Sequence, residues 1–253
     1  MTNKKEIIAG IIIIGNEILS GRTKDLNTSA LSIWLNSLGI NVQEVRVIPD
    51  IEKTIIDTVN ELKKKYNYVF TTGGIGPTHD DITAECIAKA FGVKIEQNPV
   101  ARDLIAKLCE RNGIELNAAR LRMANMPAGA RLIENSISAA PGFQMENVFV
   151  LAGVPKIMRD MFGGCKSELV GGTLVKSQTV VAYLPEGIVA EPLRALQERF
   201  PDVEIGSYPF YEGGRFGTNL VLRSTNQTLL SQACTDVSCL VEGLGGEPQV
   251  EPS

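Results

Sequence analysis

The sequence predicts an α/β chain: a three-layer αβα, doubly wound, mostly parallel sheet followed by a small α+β domain. Two observations carry this. Through the first two-thirds of the chain, short apolar runs alternate with amphipathic stretches at helical spacing, and glycines close several of those stretches. After Gly171-Gly172 the pattern changes to a shorter mixture of strands and helices. Repeated strand–helix–strand units force parallel pairing with right-handed crossovers. Such sheets take ligands at the carboxyl ends of their strands.

Ile7–Ile14 is Ile-rich on both faces and reads as a buried strand. Residues 25–38 follow, with Leu26, Ala30, Ile33, Trp34 and Leu38 at helical spacing and Gly39 as the stop. Residues 42–48 alternate as a strand. Over Glu52–Lys65, Ile55, Ile56, Val59 and Leu62 make an apolar side, and Lys63, Lys64 and Lys65 suit the negative end of the helix dipole. Tyr68–Thr72 is a third strand and residues 80–91 a third helix, closed by Gly92. Pro99–Arg111 is a fourth helix, closed by Asn112 and Gly113. Val148–Leu151 is another strand, and residues 155–162 a helix with proline in its first turn. Gly163-Gly164 and Gly171-Gly172 mark the boundary of a domain over residues 1–170. In residues 176–246, strands at 178–184, 203–208 and 219–223 and helices at 189–200 and 228–240 make a β-α-β-β-α unit. Its hairpin runs through Gly213-Gly214 and Gly217. Residues 247–253 read as a frayed tail.

Composition narrows the function. The 253 residues carry 25 Lys and Arg against 29 Asp and Glu, a net charge of −4, which argues against a dedicated nucleic-acid binder. With 44% hydrophobic and 21% charged residues the chain is not disordered. The apolar stretch at Ile7–Ile14 has 8 residues, and a membrane span needs roughly 20. No small-residue cleavage pattern follows it. The 5 cysteines are odd in number and form no CxxC pair, so a reduced, cytoplasmic setting is expected. His79 is the single histidine. Any bound metal therefore leans on Asp and Glu, which favours Mg²⁺ or Mn²⁺.

The informative segment runs Val69-Phe70-Thr71-Thr72-Gly73-Gly74-Ile75-Gly76-Pro77-Thr78-His79-Asp80-Asp81. A buried strand enters three glycines and a helix follows. Glycines allow a sharp turn and close approach to a ligand, and unpaired amides there make an anion site. Neither the P-loop nor the dinucleotide fingerprint is present. Thr78 and Asp81 have capping-box spacing. Asp80 and Asp81 would repel a phosphate at roughly 1 kcal/mol per contact in water unless a divalent cation intervenes. Capping by one aspartate and solvation of the other is the plainer alternative.

A second element, Gly15-Asn16-Glu17-Ile18-Leu19-Ser20-Gly21, also follows a strand. Glu17 is a candidate metal ligand or general base. Ser20, Gly21, Asp25 and Asn27 are candidates for binding a ribose or ring, against a plain turn with Asp25 as cap. A third element joins Ala140-Pro141-Gly142-Phe143 to Ala152-Gly153-Val154-Pro155, lining the same crevice or packing as a turn. His79 has no partner for nucleophilic catalysis and is read as a surface or indirect contributor.

The first element with Asp80 and Asp81, together with the second element and Asn27, resembles the molybdopterin-binding domain superfamily. Within it the chain is most similar to the CinA-type branch, competence/damage-inducible protein A, and to the N-terminal region of eukaryotic FAD synthase. The resemblance spans about residues 5–165. The segment at Gly206-Ser207-Tyr208-Pro209 resembles the small KH-like domain that follows in these proteins. The resemblance implies a molybdopterin-like or nucleotide ligand at the glycine loop. It implies adenylyl transfer for the molybdopterin enzymes and divalent-metal-dependent hydrolysis of ADP-ribose for the CinA branch. For the FAD synthase relative it implies hydrolysis of the FAD pyrophosphate, and for the chain a homodimer. The amidohydrolase domain of longer CinA proteins is not in this sequence, so deamidase activity is expected to be absent. Their usual Pro-Gly-Val-Pro turn is here Ala152-Gly153-Val154-Pro155.

The leading expectation is a hydrolase of a dinucleotide pyrophosphate that uses Mg²⁺, Mn²⁺ or Co²⁺. The amides of Gly73, Gly74 and Gly76, beside Pro77, and the hydroxyls of Thr72 and Thr78 would hold phosphate oxygens. Asp80 or Asp81, alone or with Glu17, would hold metal and position water. Asn27, Ser20, Gly21 and Gly153 would meet the rest of the ligand. The rivals are a molybdopterin-handling adenylyl transferase and a non-catalytic nucleotide-binding protein. No nucleic-acid or membrane partner is expected.

Overall fold

A computed structural model describes residues 6–138 and 140–251. The chain forms two compact units, residues 1–172 and 173–253.

In the first unit the order is β1 (Ile7–Ile14), α1 (Asn16–Leu19), α2 (Asn27–Ser37), β2 (Ile40–Ile48), α3 (Glu52–Lys65), β3 (Tyr68–Thr72), α4 (Thr83–Phe91) and β4 (Ile95–Gln97). Then come α5 (Pro99–Arg111), α6 (Ala118–Arg122), β5 (Asn125–Pro127), β6 (Arg131–Ile133), β7 (Gly142–Met145), β8 (Val148–Leu151) and α7 (Pro155–Cys165). The main sheet has the order β2-β1-β3-β8-β7-β6. The first four strands are mutually parallel, and β7 runs antiparallel to both its neighbours, β8 and β6. β4 and β5 make a separate antiparallel pair.

β1 explains the three layers. Its even-numbered isoleucines Ile12 and Ile14 pack with Ile55, Val59 and Leu62 of α3, Ile87 of α4 and Ile105 of α5. Its odd-numbered Ile11 and Ile13 pack with Leu31 and Leu35 of α2 and Met158, Met161 and Phe162 of α7. Opposite faces of a strand alternate with period two, so an unbroken isoleucine run serves two helix layers at once. Each such buried side chain contributes about 1.5–3 kcal/mol relative to exposure.

The second unit holds β9 (Lys176–Ala182), α8 (Glu186–Arg199), β10 (Glu204–Glu212), β11 (Arg215–Ser224), α9 (Gln227–Gly243) and β12 (Gln249–Glu251). Its sheet, β10-β11-β9-β12, is antiparallel throughout. α8 and α9 supply Val189, Leu193, Leu230 and Val237 to its own core.

Three expectations are corrected. Gly163-Gly164 is not a boundary: both residues continue α7 to Cys165, because Met158, Met161, Phe162 and Cys165 keep one helix face in the core. The segment expected to fray carries β12, where Val250 pairs with Val180 of β9. Residues 252–253 lie outside the described residues. The helix expected from residue 80 starts at Thr83. Residues 78–81 close on themselves instead: the Thr78 amide donates to Asp81 Oδ2 at 2.8 Å and the Asp81 amide to the Thr78 carbonyl at 3.3 Å. Local side-chain bonds of this kind compete with helix.

Candidate functional site

The parallel register aligns the carboxyl ends of β1, β3 and β8: Ile13 pairs with Thr72, and Thr72 with Leu151. The three following turns meet there around a cavity of about 530 Å³. Gly73 adopts φ 105° and Gly74 φ 68°. A Cβ at Gly73 would overlap the Ile14 carbonyl, and one at Gly74 would overlap Thr83 Oγ1. At Gly73, positive φ and backbone contact together exclude other residues.

The loop's donors divide cleanly. Gly73 N–H donates to the Leu151 carbonyl at 3.2 Å, and Thr83 N–H to the Gly74 carbonyl at 2.9 Å. Gly73 is thus a sheet donor rather than a phosphate donor, and the first amide of α4 is also spent. Among the described residues the amides of Gly74, Ile75 and Gly76 have no acceptor. These three residues line the cavity and no residue of α4 does, so the anion-binding potential there lies in the bend.

Glu17, Asp50, Asp80 and Asp81 line the cavity, and among the described residues no Lys, Arg or His does. Thr78 Oγ1 lies 2.6 Å from Asp80 Oδ1 and 2.5 Å from Asp81 Oδ2. A hydroxyl has one proton, so it can donate along only one of these contacts. The Thr78 amide also serves Asp81 Oδ2, so the hydroxyl is free to serve Asp80; both carboxylates converge on Thr78, and among the described residues neither has an ion-pair partner. The Thr78 hydroxyl and the Asp80 amide, helped by the charges of His79 and Arg122, hold the Asp80 carboxyl below its ordinary range. Arg122 Nη1 donates to the Thr78 carbonyl at 2.9 Å and Nη2 to the Asp81 carbonyl at 3.0 Å.

The predicted residues scatter in instructive ways. Gly74, Gly76, Pro77, Thr78, Asp80, Asp81, Glu17 and Gly153 border the cavity, as do Ala140, Ala152, Val154 and Pro155 of the third element. Val154 and Pro155 open α7 as the proline turn predicts. Ser20, Gly21 and His79 do not border it. Ser20 Oγ bonds the Glu17 carbonyl at 3.2 Å, and Gly21 takes φ 71° in the turn after α1. Thr72 and Asn27 are buried. Asn27 Nδ2 donates to the Gly153 carbonyl at 2.7 Å and to Thr72 Oγ1 at 3.3 Å. Asp25 caps α2 through the Asn27 and Thr28 amides, at 2.8 and 3.2 Å. Asn27 and Thr72 therefore brace the site from behind and do not line the cavity.

Asp80, Asp81 and Glu17 are not brought together as one set: among the described residues no three His, Cys, Asp or Glu side chains converge. Asp80 and Asp81 form the tight pair, while the Glu17 carboxylate folds back over Gly15. Sequence reasoning missed Asp50 and Arg122. Asp50 Oδ2 accepts the Asn16 amide at 2.9 Å. Its signal was its place just past the carboxyl end of a parallel strand. Arg122 carried no signal, since it arrives from 41 residues beyond Asp81.

The chain thus carries a glycine bend, free amides and an acidic pocket at the carboxyl edge of a doubly wound sheet, where such sheets take ligands. Residues 10–170 match the family described as "Probable molybdopterin binding domain", and the chain belongs to that family. Residues 175–243 match "FAD synthase, middle domain". A protein of Aeropyrum pernix is 34% identical over 222 residues, covering 84% of this chain and 82% of that one. One of Archaeoglobus fulgidus is 35% identical over 199 residues, covering 79% and 84%. The solved structure of a CinA protein "with unknown function" from Thermoplasma acidophilum is 31% identical, with a TM-score of 0.58. It covers 65% of this chain and 99% of its own.

Proposed function

We propose that the chain hydrolyses the pyrophosphate of ADP-ribose or a related dinucleotide such as FAD, using a divalent cation. The observation that carries the reading is the convergence of Asp80 and Asp81 on the Thr78 hydroxyl, beside three free amides and in a cavity that no basic side chain lines among the described residues. A diphosphate entering such a pocket needs more positive charge than its described lining supplies.

The donor chemistry fits Mg²⁺, Mn²⁺ or Co²⁺. Such ions accept one or two carboxylates and complete their shell with water and phosphate oxygens, so an Asp80–Asp81 pair suffices without a third acid. When bound, the cation neutralises the diphosphate and acidifies a water. The amides of Gly74, Ile75 and Gly76 hold phosphate oxygens. Glu17 takes the proton of the attacking water as the bridging P–O bond breaks, releasing AMP and, from ADP-ribose, ribose 5-phosphate. Asp50 orients the Glu17 loop through the Asn16 amide.

The family match over residues 10–170 favours a second reading, molybdopterin binding with adenylyl transfer. Binding without chemistry is the third. In each the partner is a small molecule rather than nucleic acid, and we place the chain in the cytoplasm as a homodimer. Among the described residues no helix is long and apolar enough to cross a membrane.

The test is incubation with ADP-ribose, FAD or NAD and each metal in turn, scored for AMP. Metal-dependent AMP release supports hydrolysis. Thermal stabilisation by ADP-ribose with no AMP in any arm would remove it in favour of binding, and ATP-dependent adenylylation of molybdopterin would favour the second reading.

A further inference from the structure

We propose that Arg122 is a positioning residue that holds the 78–81 turn in the shape from which Asp80 and Asp81 share one cation. The inference rests on the metal-dependent reading above.

The turn has little of its own to hold it. It precedes α4, belongs to no strand, and its one internal backbone bond is the long Asp81-to-Thr78 contact at 3.3 Å. Its other closures are the Thr78–Asp80 and Thr78–Asp81 side-chain bonds. Those oxygens are the ones a cation would take, so binding would weaken the turn just as it is needed. Arg122 supplies a closure that does not use them. Its guanidinium spans the carbonyls of the first and last residues of the turn, at 2.9 and 3.0 Å. Glu85 Oε1, 3.5 Å from Nη2, fixes it from the α4 side. It is absent from the cavity lining and sits instead at a small hollow behind the loop. Its charge therefore offsets the two aspartates without occupying the cation's place. A planar fork can bridge two carbonyls in this way, whereas a lysine ammonium is a point charge on a flexible stem and does not reproduce the geometry.

The experiment is Mn²⁺ titration followed by electron paramagnetic resonance on the wild type, Arg122→Met and Arg122→Lys, with thermal melting of each metal-free protein. Groups that orient ligands without touching the metal typically matter 10–100-fold in affinity. We expect Arg122→Met to bind Mn²⁺ about 10–100-fold more weakly, Arg122→Lys to recover only part of that loss, and metal-free melting to move by only a few degrees. Equal Mn²⁺ affinity in wild type and Arg122→Met, or full recovery in Arg122→Lys, would overturn the positioning role and leave the metal reading intact. Failure of the wild type itself to take up Mn²⁺, alone and with ADP-ribose, would overturn both. If Arg122→Met does not fold, Arg122→Lys carries the same comparison: weaker binding supports the role and unchanged affinity overturns it.

Discussion

Asn27 Nδ2 donates to the Gly153 carbonyl at 2.7 Å across 126 residues of chain. With its second bond to Thr72 Oγ1, this one side chain ties the start of α2 to the end of β3 and the turn after β8. Gly153 in turn packs against the Gly73 backbone, where a Cβ would come within 3.3 Å of Gly73 Cα. The shape of the pocket floor thus depends on a buried amide that never reaches the cavity.

Asn27→Ala is expected to leave the Gly153 carbonyl without its donor and to lower stability by about 1–3 kcal/mol. Asn27→Asp should lower it further, since a buried carboxylate would face a carbonyl oxygen. Urea denaturation checks both. Unchanged stability with weakened nucleotide binding would instead mean that Asn27 contacts the ligand.

Asp81→Asn should reduce AMP release from ADP-ribose by at least about 100-fold. Folding should survive, because an Asn Oδ1 can still accept the Thr78 amide that Asp81 Oδ2 accepts at 2.8 Å. Turnover assays paired with thermal melts test this, and wild-type-like turnover would refute the assignment.

Gly74→Ala should destabilise by about 2–5 kcal/mol, from left-handed backbone and from overlap with Thr83. Gly21 shares the backbone conformation, at φ 71°, but has open space beside it. Gly21→Ala should therefore cost only about 1–2 kcal/mol. The gap between the two variants in a denaturation series isolates the contact from the conformation.

The pH dependence of stability has a definite sign at Glu44. Lys65, Tyr66 and Arg46 hydrogen-bond its carboxylate and pull its pKa from 4.5 down to about 2. A folded-state pKa below the unfolded one adds stability above the unfolded value that is lost as pH falls through the folded one. The stability difference between wild type and Glu44→Gln should be full near neutrality and shrink between pH 4.5 and about 2. A difference that stays constant across that window would reject the linkage.

Native-state alkylation at pH 8 should modify Cys239 first. It is the exposed thiol, whereas Cys86, Cys109, Cys165 and Cys234 are buried. Burial also pushes Cys86 up to about 11 and Cys165 up to about 12, leaving almost no thiolate. Mass spectrometry of the alkylated protein reads the order.

The periodicities of Ile7–Ile14, Glu52–Lys65, Tyr68–Thr72, Pro99–Arg111 and Val148–Leu151 determined those elements to the residue. Their signals are local: an apolar alternation or stripe, with a turn residue at the end. The glycine bend and the two neighbouring aspartates were legible for the same reason, as contiguous residues with restricted chemistry. What the sequence left open was which atoms remain available. Tertiary structure spent the Gly73 amide on β8, buried Asn27 and Thr72 behind the pocket, and brought Asp50 and Arg122 to it from distant segments. Hydrogen-bond partners across a sheet edge are set by register and crossover, and neither leaves a mark on the spacing of residues along the chain.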